Sequence, residues 1–220
     1  MTERRGRLRA VPGALAVLAS VLAVLAYGWL WRSAPIIDGD SPQYMVVAQD
    51  LADGRIDALH DRTPGYPLLL ALTGSAFDVS GTLLYAGLVL HVVSVWILCW
   101  AFLASGGPPR LAVLMGVLLM LPLYVEPAGY VMTENLAQAT LVVVFAALMR
   151  WRLGGSLLWV VLAGLACAAA TLVRPAYQLL PAALACCLLP DGWRRGTCWR
   201  DRIGAPVVLV LGAVLSLLPY

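Results

Sequence analysis

The residues of this chain best suited to chemistry stand in three places. The first is Asp38-Gly39-Asp40-Ser41-Pro42-Gln43-Tyr44, where two carboxylates follow an apolar stretch. The chain has 220 residues, 61% hydrophobic and 12% charged. Charge beside hydrocarbon is costly, so these acids are expected to meet something wet and cationic, or a reacting group. The second place is Thr133-Glu134-Asn135, with Gln138 one turn further on. Thr133 can cap a helix whose N-terminal dipole Glu134 complements; alternatively, Glu134 and Gln138 form a polar stripe entering a membrane from its acidic side. The third is Arg174, in Leu172-Val173-Arg174-Pro175-Ala176-Tyr177. An arginine at a helix C-terminus before a proline is ordinary. Near several carboxylates it either pairs with an acid or binds a phosphate through two parallel hydrogen bonds.

The elements that must position these groups are helical and apolar. A mean hydropathy of +0.85 predicts an all-α, polytopic transmembrane bundle rather than a soluble domain. Apolar runs bounded by charge, proline or glycine predict about seven spans, near 11–31, 81–104, 110–125, 134–149, 156–173, 176–190 and 203–219. The first run is too long for a signal-peptide core and lacks a small-residue cleavage site, so it reads as an uncleaved helix. All 15 basic residues are arginine. Arg4, Arg5, Arg7, Arg9, Arg110, Arg150, Arg152, Arg194, Arg195, Arg200 and Arg202 fall on one side of such a bundle, the cytoplasmic side by the positive-inside rule. Asp38, Asp40, Asp50, Asp53, Asp57, Asp61, Asp78, Glu126 and Glu134 fall on the other. The expectation is one transmembrane domain over 1–220, multi-pass in a plasma membrane of bacterial type. Its N-terminus is cytoplasmic and its chemistry lies on the outer face.

The first outer loop, 32–80, is expected to carry juxtamembrane helices. Ser41 and Pro42 look like an N-cap and a first helical position, and Tyr44, Val47, Ala48 and Leu51 recur at helical spacing until Gly54. Asp40 can then serve as a capping carboxylate, which accounts for one acid better than for two. Arg62-Thr63-Pro64-Gly65-Tyr66-Pro67 reads as a rigid turn with Tyr66 as an interfacial aromatic, and 67–77 as interfacial or re-entrant. Cys99, Cys167, Cys186 and Cys187 lie in predicted spans and Cys198 in a cytoplasmic loop, outside any disulfide or metal spacing.

Taken in order, these features resemble the N-terminal part of the GT-C class of membrane glycosyltransferases. They are Asp40 with Tyr44 four residues later, the turn from Arg62 to Pro67, Glu134 at the top of the fourth span, and Arg174-Pro175 after the fifth. Within the class they are most similar to the protein O-mannosyltransferase and aminoarabinose-transferase group. The resemblance implies transfer of a sugar from a polyprenyl-phosphate carrier to a protein, lipid or glycan acceptor at the outer face, usually with inversion. It assigns Asp40 to act on the acceptor, and Asp38 to assist, orient or join a divalent cation. Glu134 would bind sugar or acceptor, and Arg174 would neutralise the carrier's phosphate; Tyr44, Arg62, Tyr66 and Gln138 are the further expected substrate-binding residues. Ser41 follows Asp40 where many relatives have a second acid, which leaves metal use open, and no other cofactor is implied. Members of the class are generally longer, so the chain is expected to represent part of such a fold.

Other classes are measured against this reading. A transporter or lipid-carrier flippase would place its site near mid-membrane in broken helices, whereas the span centres here lack charge and hold only His91, which reads as an interhelical hydrogen-bonding group. A non-catalytic part of a transferase is the remaining alternative. Nucleic-acid binding has no support beyond arginines that topology already explains.

Overall fold

Proline and glycine decide where the helices of this chain start and stop. The structure, a computed structural model, describes residues 19–29, 35–37, 39–55, 62–154, 156–194 and 199–217. Helix α1 is Ala19–Trp29, and α2 is Ser41–Ala52. It ends where Gly54 takes φ +75°: the Arg55 amide reaches back to the Asp50 carbonyl and the Gly54 amide to that of Leu51. Only glycine enters that left-handed region without strain. Ser41 is the first residue of α2 rather than its cap; Asp40 holds the N-cap position, and its side chain makes no capping bond. The Ser41 hydroxyl instead donates to the Val131 carbonyl at 2.8 Å, fully buried.

The expected turn at 64–67 is already helix. Helix α3, Gly65–Leu72, uses Pro64 as its N-cap and carries Pro67 in its first turn, where a missing amide costs nothing. Tyr66 is consequently not an interfacial residue: it is 3% exposed and packs with Ala48, Leu70, Leu83 and Val131.

Helix α4, Gly81–Ala104, has 24 residues and a mean hydropathy of 2.2. Among the described residues it is the one helix long and apolar enough by itself to cross a membrane. Helices α5, Pro109–Leu119, and α6, Pro122–Val125, pass the same test only when joined to the 3-10 turn Glu126–Gly129, and the chain bends by 68° between them. The continuous span expected over 110–125 is thus broken. Pro122 drives Leu121 out of the helical region, to ψ 150°. The carbonyls at the break find side-chain donors, Leu119 from His91 Nε2 at 2.9 Å and Met120 from the Tyr27 hydroxyl at 2.8 Å. His91 is 2% exposed and turns Nε2 to the Leu119 carbonyl.

Helices α7, Glu134–Arg152, and α8, Leu158–Val173, form the centre. Helix α7 packs against α4 and α8, and α8 also against α10, Trp199–Leu217. Fully buried Ala163, Cys167 and Ala170 on α8 let neighbouring backbones come close. Asn135 Nδ2 donates to the Gly87 carbonyl at 2.7 Å, tying the start of α7 to α4. The sixth expected span, 176–190, begins later than its hydropathy suggests, because Pro175–Tyr177 is a 3-10 turn and helix α9 runs Leu180–Arg194. The described residues hold no strand beyond the isolated parallel bridge between Ile36 and Tyr130. The described residues are therefore all-helical, and of the seven expected spans, the first of which (11–31) lies partly outside them, their helix lengths carry one outright, or two with the bent pair.

Candidate functional site

Four chain segments converge where α2, α3 and α7 start and α8 ends. Asp40 precedes α2, Arg62 and Thr63 precede α3, Glu134 begins α7 and Arg174 follows α8. Together with Tyr44, Met132, Thr133, Val173, Pro175 and Ala176 they line a cavity of about 530 Å³. Two contacts fix the approach of α3 to α8. The Thr63 hydroxyl donates to the Val173 carbonyl at 3.2 Å, and Gly65 lies so close to α8 that a Cβ there would stand 2.7 Å from the Leu172 carbonyl carbon and oxygen. No residue but glycine fits that contact without a shift of backbone.

The charges in the cavity alternate and pair. Arg62 Nη2 lies 3.0 Å from Asp40 Oδ1, its Nε donates to Gln43 Oε1 at 2.8 Å, and its guanidinium carbon sits 5.2 Å from the centroid of the Tyr44 ring. A planar guanidinium is suited to such simultaneous pairing and stacking. In the same lining Arg174 Nη1 donates to Glu134 Oε1 at 3.0 Å. Both pairs remain partly exposed, Asp40 by 56% of its side chain and Arg174 by 46%, so water or a ligand reaches them.

Behind this rim the Tyr44 ring meets Tyr66 edge to face, centroids 5.4 Å apart. Burial, reinforced by the nearby Glu134 charge and opposed by a backbone hydrogen bond from Met132, holds the Tyr66 phenol well above its usual range. Tyr66 supports the wall from the core rather than lining the cavity.

Of the residues singled out in the sequence, Asp40, Tyr44, Arg62, Glu134 and Arg174 line this one cavity. Gln138 stands one turn further along α7, outside the lining, and Asp38 lies outside the described residues. The lining also includes Thr63 and Met132, which carry no sequence signal of their own. Among the described residues no cluster of three or more His, Cys, Asp or Glu side chains is placed to hold a metal ion. A second, shallower cavity of about 260 Å³ shares Met132 and Glu134 with the first and adds Leu123, Glu126, Pro127 and Tyr130. Glu126 belongs to the outer acids expected from the sequence, whereas Tyr130, four residues later, carries no sequence signal of its own.

Comparison with family models, curated proteins and solved structures returns no match to this chain.

Proposed function

We propose that this chain is a multi-pass membrane protein, its N-terminus cytoplasmic, whose outer-face cavity transfers a sugar from a polyprenyl-phosphate donor to an acceptor. The observation that carries the reading is the convergence of Asp40, Glu134 and Arg174, widely separated in sequence, on one partly polar cavity. Exposed apolar side chains on α4 and α5, among them Val89, Trp96, Trp100, Val113 and Val117, support a lipid-facing surface around it. The short apolar helices α1, α8 and α9 then complete a bundle together with α4, α7, α10 and the broken α5–α6 pair.

In this reading Asp40 takes the proton from the acceptor hydroxyl or amine as that atom attacks the anomeric carbon. The bond from the anomeric carbon to the phosphate oxygen breaks, and the phosphate leaves with the electron pair. Arg174 stabilises the charge that develops there, exchanging its hydrogen bond to Glu134 for one to phosphate. Arg62, held between Gln43, Asp40 and Tyr44, keeps the Asp40 carboxylate turned into the cavity. Glu134 receives hydroxyl donors from the sugar.

The flippase alternative draws on the broken α5–α6 pair. However, the Leu119 and Met120 carbonyls at the break accept from His91 and Tyr27, so the bend has its own hydrogen-bond partners without a transported ion. Sugar transfer from a polyprenyl-phosphate donor by the membrane-embedded chain, compared between wild type and Asp40→Asn, tests the proposal; flux of the lipid-linked sugar without a new glycosidic bond would favour the flippase.

A further inference from the structure

We propose that the second cavity is a sugar-ring subsite that takes a neutral pyranose of the donor and presents its anomeric carbon at Glu134, an inference that rests on the transferase reading. Met132 and Glu134 face both cavities, so a ligand divided between them has its phosphate beside Arg174 and its ring against Glu126 and Tyr130. The lining suits that ring. Leu123, Pro127 and Met132 offer apolar surface to its C–H face, and ionised carboxylates, which only accept, take its hydroxyl protons. The Tyr130 hydroxyl donates to Glu126 Oε1 at 3.1 Å and fixes the direction in which that carboxylate accepts. Charge sorts the two halves of the ligand: the second cavity is lined by Glu126 and Glu134 and no arginine, while in the first Arg62 and Arg174 match the charges of Asp40 and Glu134. An anionic phosphate is therefore disfavoured in the second, and only the first offers it guanidinium donors.

The subsite is also built before any ligand arrives. On one side the Ile36 amide donates to the Gly129 carbonyl at 2.8 Å and the Val131 amide to the Ile36 carbonyl at 2.9 Å. On the other, Ala128 packs against Leu84 and Leu88 of α4, and a Cβ added to Gly87 would lie 2.8 Å from the Ala128 carbonyl oxygen. The segment bearing Glu126 and Tyr130 is thus pinned from both sides, and a rigid wall binds without an ordering penalty.

The test is equilibrium binding to the full chain in lipid nanodiscs, with citronellyl phosphate and its mannosyl, glucosyl and galactosyl esters as probes. At least one glycosyl ester is expected to bind about tenfold or more tightly than citronellyl phosphate. Glu126→Gln should remove that advantage and Tyr130→Phe reduce it, with citronellyl phosphate itself unaffected by either. Two results would overturn the subsite: no glycosyl ester gaining affinity in the wild type, or both probe types weakened alike by the variants. Transfer measured alongside separates the two claims. A Glu126-dependent gain without product leaves the subsite standing and removes the transferase, whereas product formation with Glu126→Gln unchanged in Kd and KM does the reverse.

Discussion

Arg174 Nη1 lies 3.0 Å from Glu134 Oε1, joining the residue that follows α8 to the one that begins α7. The two side chains are 46% and 42% exposed, and an ion pair so solvated contributes under about 1 kcal/mol to stability. Glu134→Gln should therefore leave the thermal unfolding of the detergent-solubilised chain within that margin, yet lower sugar transfer by about tenfold or more. Equal, small effects on both would show the pair to be surface decoration.

Gly65→Ala sets a methyl 2.7 Å from the Leu172 backbone, a clash that a flexible side chain cannot relieve. Forcing α3 away from α8 is expected to destabilise the chain by about 1–3 kcal/mol and to reduce transfer, because the Arg62 turn moves with α3. Thermal unfolding and transfer measured on the same preparation check both effects.

Ser41→Ala removes the donor to the buried Val131 carbonyl and leaves that oxygen without the hydroxyl. A loss of about 1–3 kcal/mol is expected from denaturant unfolding, whereas a Ser41 acting as a helix cap would have lost helicity at α2 alone.

Tyr66 gives the chain an alkaline sensitivity with a definite sign. An unfolded phenol titrates near 10.0, and burial raises the folded value above it. Above pH 10 the unfolded state accordingly binds fewer protons than the folded one, so stability present at lower pH is lost as pH rises. Tyr66→Phe should show a shallower fall in melting temperature between about pH 9 and 11 than wild type; parallel curves would contradict a buried, protonated Tyr66.

The helical character of the chain and the placing of α2, α4 and α7 were legible because hydropathy and glycine or proline punctuation agree there. At Pro122 they conflict: hydropathy continues through 110–125 while proline breaks the backbone, and the local steric rule wins. Ser41 was misplaced by one residue because a serine before a proline fits both a cap and a buried tether, and only the position of Val131 decides between them. The cavity lining divides in the same way. Charged Asp40, Arg62, Glu134 and Arg174 announce themselves in an apolar chain. Met132 and Thr63 enter only through packing, which no local pattern encodes, and Tyr66 reads as interfacial until tertiary contacts bury it.

The central claim rests on Asp40, and the most direct measurement is the rate of sugar transfer from a polyprenyl-phosphate donor by wild type and Asp40→Asn in proteoliposomes at equal protein content. Loss of a general base predicts a fall of about a hundredfold or more in the variant, with thermal unfolding little changed because the Asp40 side chain is 56% exposed. Transfer by Asp40→Asn at the wild-type rate would contradict the account.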